Sequence, residues 1–203
     1  LKGTHSKGRW LLPVAMFATA LWPQAGRPDP NAVVLAAARA QIGKTVHYDG
    51  SYRMMKYPGG DVPLDRGVCT DVLIRAFRAA GVDLQVLVHQ DMSRAFGAYP
   101  QAWGLSRPDA NIDHRRVPNL KVFFERRGKS LPISALPEAY VAGDIVAWRL
   151  PSGVPHIGLV SSATVSDGSR PLVIHNIGRG VQEEDTLFLY PITGHYRYFA
   201  QGA

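Results

Sequence analysis

An α+β fold, with N-terminal helices packed on a C-terminal antiparallel sheet, is the architecture this chain predicts, and a change of hydrophobic period carries the prediction. Up to Gly128 the apolar residues recur at helical spacing between capping residues and glycines. From Asp144 onward they fall into short runs rich in branched and aromatic residues, divided by turns such as Ser166-Asp167-Gly168-Ser169. Helices followed by a meander of strands segregate to one side of an antiparallel sheet.

Each element has its own local reason. Asn31 is placed to cap a helix over 32–42, with Val33, Leu35 and alanine-rich turns inside and Gly43 just past its end. A second helix runs from Cys69 to Ala80, closed by Gly81, with Val72, Leu73, Ala76, Phe77 and Ala80 on its inner side. Asp83 caps a third. A fourth opens at Pro118, a proline in the first helical position, and passes through Leu120, Phe123 and Phe124 to Gly128. Strands are predicted at 144–150, 156–162, 172–177, 186–190 and 195–199. No internal repeat or low-complexity tract is present.

The first 25 residues read as a signal peptide. Lys2, Lys7 and Arg9 precede an apolar run from Trp10 to Leu21, interrupted by Pro13 and Thr19, and Ala18-Thr19-Ala20 has the small-x-small form of a cleavage site. That run is too short to span a bilayer comfortably, so stable membrane insertion after cleavage is not expected. Residues 26–203, about 180 in all, suit one compact domain. The formal charge of +7 is spread over scattered arginines without interleaved stacking aromatics, which argues against nucleic acid and fits the anionic cell envelope or a solvated surface. Export to the periplasm or envelope as a monomer is the resulting expectation.

An exported chain with a single cysteine has no intramolecular disulfide partner, so Cys69 is either a buried small hydrophobe or a reactive thiol. Its place in the first turn of an apolar helix favours a thiolate, because unpaired N–H groups and the helix dipole stabilise negative charge and lower the thiol pKa. A thiolate mechanism needs a base, and His156, opening the strand His156-Ile157-Gly158-Leu159-Val160, is suited to that role. The next strand, Leu172 to Ile177, is antiparallel and adjacent, bringing His175 or Asn176 beside His156 to orient the imidazole. His89, Asp91, Asp113, His114, Arg115 and Arg116 lie in a long stretch between helix and strands and are placed to line one wall of a cleft. Imidazole and carboxylate suit zinc, but no regular ligand spacing is present, so neither a metal nor an organic cofactor is expected. Gly178-Arg179-Gly180 is too sparse for a phosphate loop.

Tyr57-Pro58-Gly59-Gly60, Cys69 at the helix start, Gly143-Asp144-Ile145-Val146-Ala147-Trp148, His156-Ile157-Gly158-Leu159-Val160 and Ile174-His175-Asn176 occur in the order seen in the NlpC-type peptidoglycan hydrolases of the papain-like superfamily, which the chain resembles. More narrowly, Gly67-Val68-Cys69-Thr70-Asp71-Val72, His175-Asn176-Ile177-Gly178 and Gly194-His195-Tyr196-Arg197 resemble a bacterial branch known as the YijF-like domain of unknown function. The likeness runs from Pro30 to Phe199. It implies a papain-like fold with an enlarged insert between the cysteine helix and the histidine strand. It also implies a cysteine hydrolase that cuts an amide bond in the peptidoglycan stem peptide, with Cys69 as nucleophile, His156 as base and His175, or Asn176, as third member. Tyr57 would stand at the oxyanion or substrate. In that family the helix begins Asp-Cys-Ser-Gly, and its Asp and Ser hold the free amine of the stem peptide. Val68 and Thr70 stand there in this chain, leaving Asp71 or Asp65 as candidate carboxylates. An amidase, an acyltransferase and a non-catalytic peptidoglycan-binding module on the same fold are the alternatives.

Overall fold

The structure, a computed structural model, describes residues 28–200. The signal peptide expected over 1–25 lies outside the described residues. Four helices, α1 (Pro30–Arg39), α2 (Cys69–Ala79), α3 (Leu84–Arg94) and α4 (Val117–Arg126), precede the main sheet. Two short strands, β1 (His47–Tyr48) and β2 (Arg66–Gly67), pair in parallel ahead of α2. The main strands are β3 (Ile145–Arg149), β4 (Pro155–Thr164), β5 (Pro171–Asn176), β6 (Val181–Glu184) and β7 (Ile192–Tyr196). They form one antiparallel sheet in the order β6-β5-β4-β3-β7. The helices-then-sheet architecture expected from the change of period is therefore the one found. Among the described residues no helix is long and apolar enough to cross a membrane.

The sheet is buried on both faces. Ile145, Ile157, Leu159 and Ile174 point toward the helices and join Leu35, Leu73, Phe77, Leu120 and Phe124 in the larger core. The alternate residues Val146, Trp148, Val160 and Val173 point the other way and pack with Tyr140 and Leu187. Strand alternation thus divides β4 between two environments. Ile157 and Leu159 face the helices, and His156 and Gly158 face the second core. A Cβ on Gly158 would come within 2.9 Å of Val173 and 3.0 Å of the His175 Cβ, so glycine is what lets β5 lie against β4 there.

Local chemistry explains most element ends and corrects several expectations. Asp29, not Asn31, caps α1: its carboxylate accepts from the N–H groups of Asn31 and Ala32, and Pro30 then takes the first helical position. The helix stops at Arg39, and the chain turns through Gly43, at φ +73°. Gly81 and Gly128, at φ +80° and +63°, follow α2 and α4 in the expected positions. Helix α4 starts one residue early, at Val117. The run 186–190 is not a strand. It is a turn whose Leu187 is buried and whose Leu187 carbonyl accepts from the Trp148 Nε1–H at 2.9 Å. The sheet takes the polar run Val181–Glu184 instead, joined to β5 by a turn through Gly178 and Gly180. The last strand ends at Tyr196, three residues before the expected limit, because Tyr198 and Phe199 leave the ladder to pack on Phe77 at 5.1 and 5.4 Å between ring centroids.

Candidate active site

Cys69 is the first residue of α2, and the residues before it fix its position. Val68 is extended at the N-cap, and its N–H donates to the Asp71 carboxylate at 2.7 Å, so the third helical residue closes the helix start from within. A Cβ on Gly67 would sit 3.0 Å from that carboxylate, which accounts for the glycine. Arg115 reaches Asp71 through two N–H···O bonds of 2.8 and 2.9 Å, and both side chains are almost wholly buried. The same guanidinium donates to the carbonyls of Asp49 and Ser51, and the Thr70 hydroxyl donates to the Arg115 carbonyl. Helix α2 is thus clamped to the Asp113–Arg115 turn directly behind the thiol.

The thiol sits against the start of β4, the central strand of the sheet. Its sulfur accepts from the backbone N–H groups of Ile157 and Thr70, and the Tyr48 hydroxyl lies within hydrogen-bonding reach. Tyr48 reaches it because β1 runs beside β2, with Tyr48 opposite Gly67. Burial pushes the Cys69 thiol up to about 11, and the nearby Asp71 charge adds to the rise, against the lowering by the two N–H groups and Tyr48. The expectation of a depressed thiol pKa is therefore corrected: loss of water outweighs the helix N-terminus, and the resting group is a protonated thiol.

The two histidines meet on the other side of β4. His156 Nε2 and His175 Nδ1 are 2.7 Å apart, and His175 Nε2 is 3.0 Å from the Glu184 carboxylate. Trp148 covers both rings, with centroids at 5.8 and 6.5 Å. These partners fix the tautomers. Glu184 can only accept, so His175 carries its proton on Nε2; His175 Nδ1 then accepts from His156 Nε2–H, leaving a lone pair on His156 Nδ1. Burial, with the neighbouring His175 ring, lowers His156 to about 3, and burial also lowers His175 despite Glu184. Both rings rest neutral. Among the described residues no hydrogen bond joins the Cys69 sulfur to the His156 ring; the thiol instead meets the backbone of the next residue, Ile157.

The remaining sequence candidates fall elsewhere. Asn176 is turned away from His156: its Nδ2 donates to the Gly67 carbonyl and its Oδ1 accepts from Gly178 N–H. Tyr57 packs edge-on against His89 at 5.2 Å, and neither lines the thiol groove. Asp65 pairs with Arg66 and is half-exposed, and Asp71 is held by Arg115 and Val68. Asp91 binds Tyr99 and Arg126, while His114 is buried, with its pKa pushed down to about 4 by that burial. Among the described residues no three metal-ligating side chains converge. The groove over Cys69, about 500 Å³, has Tyr48, Tyr52 and Trp103 as aromatic walls and Arg115 and Arg116 as cations. The Arg116 guanidinium lies 4.0 Å over the Trp103 ring and pairs with Asp113 at 3.0 Å. Sequence reasoning missed Tyr48 and Glu184. The signal for Tyr48 was an aromatic in a polar segment just before the cysteine helix, and Glu184 lay in a strand too polar to recognise.

A solved structure of NlpC1 from Trichomonas vaginalis matches with a TM-score of 0.49 and 16% identity, over 88% of this chain and 47% of that one, so this chain spans about half its length. A relative described as uncharacterized protein YijF, from Escherichia coli (strain K12), is 58% identical over 173 residues, covering 85% of this chain and 84% of its own length. Residues 35–198 match the family model described as domain of unknown function DUF1287. With nearly the whole described fold inside that match, the chain belongs to the DUF1287 family.

Proposed function

We propose that this protein is an exported, papain-like cysteine hydrolase that cleaves an amide bond in the peptidoglycan stem peptide. The observation that carries the reading is the seating of a helix-start thiol against the strand that bears the His156–His175–Glu184 chain. The His156 Nδ1 lone pair is the base. At rest the His156 ring lies on the Trp148 face of β4, so it swings toward the thiol when substrate binds, and the Cys69 proton passes to Nδ1 as the sulfur attacks the substrate carbonyl. The N–H groups at the start of α2 and the Tyr48 hydroxyl are donors for the oxyanion. The carbon–nitrogen bond then breaks, the amine leaves with the Nδ1 proton, and water attacks the thioester with the same nitrogen as base. Since thiol and imidazole both rest neutral, proton transfer accompanies attack rather than preceding it.

One observation favours a non-catalytic wall-binding module instead: the thiol rests protonated and unbonded to the ring. Incubation of the mature protein and a Cys69→Ala control with peptidoglycan and soluble muropeptides, with product masses measured, separates the two. Fragments that appear only with Cys69 support hydrolysis, and their masses distinguish endopeptidase from amidase. Sedimentation of both proteins with the wall and no cleavage would replace the hydrolase with a binder.

A further inference from the structure

A second cavity adjoins the thiol groove. It measures about 440 Å³, and Pro118 and Pro155 line both spaces, forming a ridge between them. Pro155 immediately precedes His156, and the floor of the second cavity includes Trp148, the ring that covers His156 and His175. One face of α4 supplies a wall, through Pro118, Lys121, Val122 and Glu125 at helical spacing, and β3 supplies Arg149.

The charges in this cavity are unbalanced. Glu125 accepts from the Tyr196 hydroxyl at 3.0 Å. Among the described residues neither the Lys121 nor the Arg149 side chain makes a hydrogen bond or ion pair, whereas Arg115 and Arg116 in the thiol groove are each matched to an aspartate. Two unmatched cations over an apolar floor concentrate anions, and a guanidinium binds a carboxylate through two parallel hydrogen bonds.

We propose that this cavity is a subsite for a free carboxylate of the substrate, held by Lys121 and Arg149 on the histidine side of the reacting bond. The inference rests on the hydrolase reading and deepens it: the substrate chain crosses the proline ridge, with its reacting carbonyl at Cys69 and its carboxylate over Trp148. Substrates in which that carboxylate is a carboxamide lose the contact.

Two stem peptides, identical except for a free or amidated carboxylate, test this with the wild-type chain and a Lys121→Gln/Arg149→Gln double variant. KM for the free acid is expected to be about tenfold below that for the amide, and the double variant to bring the ratio near one. Equal KM values in the wild type, or a preference that survives in the variant, would overturn the subsite. If neither peptide is cleaved the hydrolase reading fails, and the subsite is then decided by calorimetry on the Cys69→Ala protein. Tighter binding of the free acid, lost when Lys121 and Arg149 are also replaced, sustains it; equal or absent binding removes it.

Discussion

Two buried polar assemblies flank the cysteine, and they differ in how they end. Asp71 and Arg115, behind the thiol, form a closed unit in which the carboxylate is shared between a guanidinium and the Val68 N–H, and the spare guanidinium donors go to backbone carbonyls. The chain from Glu184 through His175 to His156 is directional: each member fixes the proton of the next, and the last leaves a lone pair. A closed assembly suits position, and an open one suits the proton transfer we propose for it. Buried charge alone does not distinguish them, since both are desolvated and both shift the groups they touch.

The comparison can be broken by substitution. Cys69→Ala is expected to lower kcat on wall peptides at least about a thousandfold, with the melting temperature little changed. Retained activity would mean that neither assembly serves a thiol. Arg115→Met strands the Asp71 carboxylate, so urea denaturation should show a stability loss of about 3–5 kcal/mol. A small loss there would undo the view of that pair as the clamp. Glu184→Gln spares the core but frees the tautomer of His175. It should lower kcat by about 10- to 100-fold at nearly constant denaturation midpoint; unchanged kcat would make the ring chain structural.

The last effect is on pH. His156 and His114 are held at about 3 and about 4 in the folded chain against an ordinary 6.5, so the unfolded chain binds their protons first. Their contribution is fully present above pH 6.5 and is lost as pH falls through 5 toward 4, at up to about 1.4 kcal/mol per pH unit for each group. Denaturation midpoints at pH 7, 5.5 and 4.5 measure it, and His156→Gln should flatten the slope. A midpoint that does not fall over that range would mean that the rings accept protons without unfolding.

What could be read in advance depended on distance along the chain. Asp83, Gly81 and Gly128 act within a turn of their own helices, and their roles were legible. The pairing of His156 with His175 followed from two antiparallel strands and a short turn. Asn31 misled because a second capping residue, Asp29, stands two positions earlier, and Pro30 settles which one begins the helix. The run 186–190 has strand composition but spends Leu187 as a plug beneath the second core, while the polar β6 pairs through its backbone. Arg115 was visible as a cleft residue, yet its partner Asp71 lies 44 residues away, and no local pattern couples them. The direction of the Cys69 shift was misread because helix position is written in the sequence and burial is not.

The outer strand β6 has a consequence beyond the active site. At the other end of the sheet, Ser130 bridges to Tyr196 and Leu131 N–H donates to the His195 carbonyl, so β7 is partly covered. At its own end, β6 is a short ladder of Val181-Gln182-Glu183-Glu184, with Arg39 and Arg179 salted onto its carboxylates. Short, charged edges resist adding a strand from another molecule. The adjacent glutamates of β6, of which Glu184 ends the histidine chain, thereby also guard the protein against edge-to-edge aggregation, and replacing both with valine would trade solubility for a sticky border.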